Sequence, residues 1–317
     1  MPSLSNDQGR AFEYITLITL HSEISKIRPA TIEQNSSFFA AQRAWNNISA
    51  DIQNNLQRSA NASVDAIFDL EPLILEDDGD EVELLIQPDD RGVAGDVRDI
   101  LIVRSGIRWE IGLSLKHNHF AVKHSRLGKN LDFADRWYGL PCSDQYWDDI
   151  APIFNYLEAE KARRSNWRDL PSKENDVYIP LLNAFIDEVM RGVECDPSVP
   201  SKMVEYLLGE FDFYKVVSVD RSRASQILTF NLRGTLNQSG RRTRPSINVP
   251  VVTLPTRIVS MGFKPGSNNT VELYMDGGWQ FSFRIHNAST AVETSLKFDI
   301  QIVGMPATII SINCRWN

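Results

Sequence analysis

Two short apolar runs joined by a tight turn constrain the fold of this chain more than any other feature. Residues 97–103 and 107–115 are rich in β-branched and apolar side chains, as strands are. Arg104-Ser105-Gly106 lies between them and is typical of a turn. The sequence therefore predicts a two-stranded antiparallel hairpin in this region.

Polar residues on this hairpin stand where they could act together. Side chains alternate between the two faces of a strand, so Ser114 and Lys116 share one face while Leu115 lies on the other, buried face. Asp99 opens the neighbouring strand, and its carboxylate is therefore expected beside the Lys116 ammonium. Such a pair suits phosphodiester hydrolysis, because a carboxylate can hold Mg²⁺ and a lysine can position water or stabilise developing negative charge.

A mostly helical region precedes a β-rich region along the chain. Apolar residues at three- and four-residue spacing predict helices over residues 8–27, 33–68, 144–167, 176–191 and 202–208. Short β-branched runs predict strands over residues 211–219, 225–236, 247–261, 270–275, 279–286, 296–303 and 307–315. The predicted fold class is α/β in the broad sense, which includes α+β folds. The predicted organisation is a helix-rich core at 1–209, with its hairpin at 96–116, and a β-rich recognition region at 210–317.

Charge is distributed unevenly along the chain. The net charge of −8 by itself argues against a nucleic-acid-binding protein. Residues 69–99 are strongly acidic, whereas residues 221–271 contain no Asp or Glu and eight Arg or Lys. Local potential decides where a polyanion docks, so the later segment could form a basic surface on an acidic protein.

Several classes of protein are disfavoured by what the sequence lacks. No run of 18 apolar residues is present, so a membrane-spanning helix is not expected. The N-terminal residues lack the basic start and apolar stretch of a secretory signal. The three cysteines have neither disulfide-scaffold nor metal-ligand spacing. A reduced, cytoplasmic location is therefore expected.

The hairpin resembles that of the PD-(D/E)XK nucleases. Residues 111–119 (Ile-Gly-Leu-Ser-Leu-Lys-His-Asn-His) and 121–127 (Ala-Val-Lys-His-Ser-Arg-Leu) are similar to one branch, the type II restriction endonucleases of the HaeIII family. Residues 9–14 and 283–287 fit the same family. The resemblance implies a nuclease core with a mixed central sheet flanked by helices. It also implies Mg²⁺, cleavage of unmethylated double-stranded DNA at GGCC, and a companion DNA methyltransferase that protects the host.

One position departs from the PD-(D/E)XK pattern. Ser114 stands two residues before Lys116, where that pattern has an acid, and serine is a poor ligand for Mg²⁺. A second carboxylate must then come from elsewhere. Glu13 is the preferred substitute, because it falls on the apolar stripe of the first predicted helix, where a carboxylate needs a partner or a metal. Asp96 is an alternative metal ligand to Asp99, since both open the same strand.

Three segments are expected to contact DNA. Residues 123–136 are predicted as a helix-like segment with basic residues for phosphate contacts, and residues 241–244 as a basic loop. Arginine is the usual bidentate partner of guanine, which a GGCC site offers on both strands. Residues 284–287 are further candidate base readers. The expected DNA-contacting residues are His117, Asn118, His119, Lys123, His124, Arg126, Arg241, Arg242, Arg244, Arg284, His286 and Asn287.

Alternatives remain for the histidines and for the function. Three clustered histidines also suggest zinc, but no cysteine or second ligand pair accompanies them, which favours polar contacts beside a phosphate. A non-catalytic, sequence-specific DNA-binding protein on a nuclease-like scaffold would explain Ser114. A β-rich protein- or carbohydrate-interaction domain is a third reading, against which the basic segment argues. A palindromic target favours a two-fold homodimer, and a monomer that cuts twice also fits.

Overall fold

Twelve strands form two sheets in the computed structural model, which describes residues 4–88, 95–118 and 121–317. The strands in these ranges are β1 (Ala30–Ile32), β2 (Val82–Ile86), β3 (Ile100–Arg104), β4 (Trp109–His117), β5 (Ala121–Gly128), β6 (Phe213–Val219), β7 (Ala224–Phe230), β8 (Ile258–Phe263), β9 (Thr270–Met275), β10 (Gln280–His286), β11 (Ser295–Gly304) and β12 (Ser311–Arg315). The seven-stranded sheet has the order β1-β2-β3-β4-β6-β7-β12, and the five-stranded sheet has the order β5-β11-β10-β9-β8. The first sheet is mixed, because β1 with β2 and β4 with β6 are parallel pairs.

Helices precede or separate the strands. They are α1 (Leu4–Ile24), α2 (Ser36–Asn47), α3 (Ala50–Leu70), α4 (Phe133–Tyr138), α5 (Asp144–Ala162), α6 (Ile179–Cys195) and α7 (Val199–Leu208). The single helix predicted over residues 33–68 is wrong, because Ile48 and Ser49 have extended backbone between α2 and α3. Ser49 occupies the N-cap position of α3, although its side chain makes no capping hydrogen bond.

The predicted hairpin is confirmed. β3 and β4 are antiparallel neighbours with Leu101 opposite Gly112 and Ile102 opposite Ile111. A short 3₁₀ turn, Ser105–Ile107, joins them. The alternation of faces is confirmed as well, since Leu115 is 2% exposed and lies in the hydrophobic core.

Helix α1 is anchored to this sheet by its apolar stripe. Leu17 and Leu20 are fully buried in the same core as Ile111 and Leu113 of β4. Apolar residues spaced at three and four positions place one helix face against the sheet, so the polar residues next to that stripe are held in a fixed position. Glu13 is one of them, at one helical turn before Leu17.

Contacts divide the chain into two compact units that interleave along the sequence. One unit contains Met1–Phe120, Gly209–Val252 and Ala307–Asn317, and the other contains Ala121–Leu208 and Thr253–Pro306. This division differs from the predicted boundary after residue 209. Strands β6, β7 and β12 belong to the seven-stranded sheet of the first unit, and β5 to the five-stranded sheet of the second. The predicted boundary differs from the observed units because several strands pair with strands that lie far away in the sequence.

Two predictions of secondary structure are corrected. The segment that carries Lys123 and Arg126 was predicted as helix-like and is instead β5, which pairs with β11 along its length. Tertiary pairing overrides the local charge pattern there. The strand predicted over 247–261 begins at Ile258. Pro250 and Pro255 fall in the earlier part, and proline cannot donate to a sheet ladder.

The predicted fold class is confirmed. The chain is mixed α/β, with helices, a mixed seven-stranded sheet and a β-rich C-terminal part. Across the three described ranges, no helix has the length and apolar character needed to cross a membrane.

A buried ionic cluster fixes the end of the hairpin. Arg104 at the end of β3 has a fully buried side chain, and its Nη2 and Nε donate to the Asp80 carboxylate at 2.6 and 3.1 Å. Arg28, also fully buried, donates to the same carboxylate. These ion pairs hold the pKa of Asp80 below its usual range, with the hydrogen bond from Arg104 as the largest cause.

Replacing Asp80 with alanine is expected to destabilise the protein by about 3 kcal/mol, because two buried arginines would lose their shared counter-charge. Urea denaturation measures the change in the free energy of unfolding. Asp77→Asn is the matched control, since Asp77 is exposed and asparagine keeps an acceptor for the Gly79 N–H. Equal stability of the two variants would contradict the assignment of the cluster as a structural element.

Candidate active site

Asp99 is fixed by the sheet on both sides. Its N–H donates to Leu113 O at 2.7 Å, and its carbonyl accepts from the Gln87 N–H at 2.9 Å. The residue therefore extends the ladder of β3 between β2 and β4 by one position. A side chain so placed has little backbone freedom.

The two oxygens of the Asp99 carboxylate have different surroundings. Oδ2 accepts from Leu115 N at 2.6 Å, Lys116 Nζ at 3.1 Å and Ser114 Oγ at 3.3 Å. No hydrogen bond reaches Oδ1 from any residue in the described ranges, and the side chain is 24% exposed. One oxygen is thus committed to positioning the carboxylate, and the other is available to a ligand.

Lys116 is held as a cation at neutral pH. Burial favours the neutral amine, but the negative charges of Asp99 and Glu13 and the hydrogen bond to Asp99 outweigh it, so the pKa of Lys116 lies above its ordinary value. A charged ammonium that is 31% exposed can meet a phosphate or a developing anion.

Ser114 does not replace the acid that the PD-(D/E)XK pattern has at this position. It is 4% exposed, and its hydroxyl donates to Asp99 Oδ2. The structure therefore places Ser114 behind the Asp99 carboxylate as an orienting donor.

Glu13 lies close enough to influence Lys116, as the effect on the lysine pKa indicates. It is half-buried and lines a cleft with Arg10, Ser36 and Gln87. Gln87 is also the residue whose N–H binds the Asp99 carbonyl. The structure therefore brings Glu13, Asp99 and Lys116, predicted from separate segments, into one region.

The donor set fits a hard divalent cation. Within residues 4–88, 95–118 and 121–317, no cluster of three or more His, Cys, Asp or Glu side chains could hold a metal ion. Two carboxylates are nevertheless enough for Mg²⁺, which proteins commonly bind through one or two carboxylates while waters and substrate phosphates complete the shell. Asp99 Oδ1 and the Glu13 carboxylate are suitable oxygens.

Asp96 has other partners. Arg98 donates to both of its oxygens at 2.8 Å, and Gln87 Nε2 donates to Oδ2 at 2.9 Å. Asp96 is 9% exposed, and despite burial its hydrogen bonds, chiefly with Arg98, hold its pKa below the usual range. Arg98 also pairs with Glu110 at 2.9 Å. This network satisfies the Asp96 carboxylate through structural contacts.

Lys215 is a residue that the sequence analysis missed. It lies in β6 directly beside Ser114 of β4, and it is 3% exposed. Burial, with the nearby charge of Lys116, lowers the pKa of Lys215 to about 7, although Asp99 opposes the change. A lysine inside an apolar strand was the available signal, but the parallel pairing that brings it to Ser114 was not visible.

His117 and Asn118, predicted near DNA, are engaged with Asp220. His117 Nε2 lies 2.9 Å from Asp220 Oδ2, and its side chain is 6% exposed. Asn118 donates to the same oxygen at 2.8 Å and accepts from the Asp220 N–H at 3.0 Å. These contacts join the end of β4 to Asp220, which directly follows β6. His119 lies outside the described residues, and so does the side chain of His124.

The predicted basic loop is exposed in the first unit. Arg241, Arg242 and Arg244 all have exposed side chains, and an Arg244 guanidinium nitrogen donates to Gly240 O. The segment contains neither helix nor strand. The three arginine side chains are therefore accessible from solvent.

The remaining predicted DNA contacts lie in the second unit. Lys123 Nζ donates to Tyr206 O at 2.8 Å, and Arg126 pairs with Glu293 at 2.9 Å. Arg284, which is 57% exposed, lies 3.4 Å from Asp299.

His286 and Asn287, the two predicted DNA contacts that follow Arg284, interact with neighbouring residues of the protein. Burial, with the charges of Arg284 and Lys297, lowers the pKa of His286 and favours the neutral ring. Asn287 binds Ser289 O, Ala291 O and the Glu293 N–H, and so ties a turn. Of this group, the exposed guanidinium of Arg284 is placed best for a ligand.

Comparisons with known proteins cover almost the entire chain. The family model described as HaeIII restriction endonuclease matches residues 9–306. The type II restriction enzyme HaeIII of Haemophilus aegyptius is 50% identical over 317 residues, which is 100% of this chain and 99% of that enzyme. No solved structure shows significant similarity. The resemblance predicted from the central blocks is confirmed.

Proposed function

The chain belongs to the HaeIII restriction endonuclease family, and on this basis we propose that its Asp99–Lys116 site hydrolyses DNA with Mg²⁺ at GGCC. It is a type II restriction enzyme, a site-specific deoxyribonuclease. The observation that carries the assignment of the site is the Asp99 carboxylate. One of its oxygens binds Lys116 and the backbone, and the other has no partner among the described residues.

The roles of the residues follow from their contacts. The Asp99 and Glu13 carboxylates would hold Mg²⁺, and Ser114 and the Leu115 N–H orient the Asp99 carboxylate. Bound Mg²⁺ supplies Lewis-acid polarisation of the phosphoryl group and a more acidic water. Lys116 keeps its proton and stabilises negative charge that develops on the phosphate or the attacking oxygen.

DNA contacts are assigned to exposed basic residues. Arg241, Arg242 and Arg244 approach phosphates or the guanine edges of GGCC, where arginine binds O6 and N7 together. Arg284 is a further candidate in the second unit. The palindrome favours a homodimer. A companion methyltransferase that recognises the same site and a cytoplasmic location complete the proposal.

Cleavage by the purified protein is expected to require a divalent cation. Plasmid incubated with the protein should be cut in Mg²⁺, remain intact in EDTA, and be cut again when Mg²⁺ is added in excess. Sequencing of the ends from digested genomic DNA should place every cut within GGCC. Cutting in EDTA would refute the metal assignment, and ends at another sequence would refute the target.

A further inference from the structure

The basic segment 240–244, called the arginine loop below, is held by the carboxylate of Glu76. Glu76 Oε1 accepts hydrogen bonds from the backbone N–H groups of Arg241 at 2.8 Å and Arg242 at 3.0 Å. Glu76 Oε2 accepts one from the Thr243 hydroxyl. Three consecutive residues of the loop are thus bound by one side chain that is 165 to 167 positions away in the sequence.

Glu76 is itself well fixed. It is 5% exposed, and its carbonyl accepts from the buried guanidinium of Arg28. The loop approaches so closely that a Cβ at Gly240 would overlap the Glu76 carboxylate. Gly240 also donates its N–H to Thr243 O at 3.1 Å, which closes the loop. A rigid acceptor therefore meets a backbone that only glycine allows to come this near.

The carboxylate organises the backbone of the loop and leaves the guanidinium groups exposed. An acid among arginines commonly pairs with their side chains, but Glu76 binds the main-chain amides of Arg241 and Arg242, whose side chains are exposed. The hydrogen bond from Thr243 is the largest cause that lowers the pKa of Glu76, with burial opposing it, so the acceptor is charged at neutral pH.

We propose that Glu76 is a positioning residue for DNA binding, which holds the arginine loop in the conformation that presents Arg241 and Arg242 to the duplex. The inference rests on the proposed role of this loop in DNA contact. A loop ordered before binding does not lose that conformational freedom on binding, so preorganisation increases affinity without adding a contact.

If Glu76 acted only through its charge, its loss would be expected to change the affinity for DNA in the opposite direction. Removal of a negative charge beside a DNA-binding surface should strengthen the attraction to a polyanion. Removal of the acceptor that orders the loop should weaken binding. The direction of the change in Kd therefore separates positioning from simple charge.

The experiment compares four full-length variants in binding to a duplex that carries the mapped cleavage site. Glu76→Ala is expected to raise Kd about tenfold, an ordering cost of roughly 1.4 kcal/mol, and to raise KM without a matching loss in kcat. Gly240→Ala, which displaces the same contact without a change in charge, should do likewise. Glu76→Gln keeps an acceptor for both amides and should restore binding to within about twofold. Asp77→Asn is the charge control and should bind as the wild type does.

Two further experiments test the order of the arginine loop and its contact with phosphates. Trypsin should cleave after Arg241 and Arg242 faster in Glu76→Ala, while the Tm reports whether the whole protein remains folded. A double Arg241→Ser, Arg242→Ser variant should weaken binding and reduce the slope of log Kd against log salt by about 2 if both arginines contact phosphates.

The outcomes distinguish DNA contact by the arginine loop from the positioning role of Glu76. Unchanged binding and salt dependence in the double arginine variant would refute DNA contact by the loop, and with it the inference. Weakened binding in that variant, together with equal or tighter binding by Glu76→Ala and Gly240→Ala, would refute the positioning role alone. Failure of Glu76→Gln to restore binding would also overturn it, because a shape-matched acceptor should order the loop.

Discussion

Lys116→Met is expected to lower kcat by about 10²–10³-fold, the loss seen when one preorganised electrostatic group is removed from a transition state. Methionine keeps most of the apolar stem and removes the charge. The fold should persist, because Asp99 retains its bonds from Leu115 N and Ser114 Oγ. Single-turnover cleavage of a plasmid in Mg²⁺ measures the chemical step.

Two comparisons give the Lys116 prediction its specificity. Lys116→Arg keeps the positive charge with a different shape, so it should retain more activity than Lys116→Met if charge is the main contribution. The methionine variant should still bind the specific duplex with a Kd close to that of the wild type. Cleavage by Lys116→Met at the wild-type rate would remove Lys116 from the mechanism.

The local sequence pattern correctly predicted the hairpin and the proximity of Asp99 to Lys116. Alternation over β4 puts Ser114 and Lys116 on one face, and the turn brings Asp99 beside them. Each of these relations spans fewer than 20 residues. An antiparallel hairpin needs no knowledge of the rest of the fold, which is why the pattern sufficed.

The pairing of strands that lie far apart in the chain could not be predicted from the sequence. The parallel pairing of β4 with β6 places Lys215 beside Ser114, and such pairs join strands across long connections. The assignment of residues 121–128 to a strand depends on β11, more than 160 positions later. Patterns in one chain show which faces are apolar but not which strands will meet.

Glu76 shows a second limit. It belongs to the strongly acidic stretch 69–99, and acidic residues in such a stretch are usually exposed to solvent. In the structure it is 5% exposed and binds backbone amides of a loop far along the chain. Because the carboxylate binds main-chain amides, which every residue except proline carries, the residue types of the loop gave no signal for this contact.

Asp99→Asn is expected to abolish Mg²⁺-dependent cleavage, with a loss of about 10³-fold or more, because a metal supplies several kcal/mol of stabilisation to the transition state. Asparagine can still accept from the Leu115 N–H, so the site should stay folded. Asp99→Ala leaves that donor without its acceptor and should cost a further 1–3 kcal/mol or so of stability. Mg²⁺ titration calorimetry and urea denaturation measure the two effects separately.

Asp99→Asn should also lower the pKa of Lys116. Burial lowers the pKa of Lys116, and the charge of Asp99 is the leading cause that raises it. Without that charge, Lys116 should lose its proton at a lower pH, so the alkaline limb of the residual activity should shift to lower pH.

Asp96→Asn is the control that decides between the two candidate ligands: it disturbs the pair with Arg98 and should lower stability, yet Mg²⁺ binding should persist. Loss of Mg²⁺ binding in Asp96→Asn but not in Asp99→Asn would move the metal to Asp96.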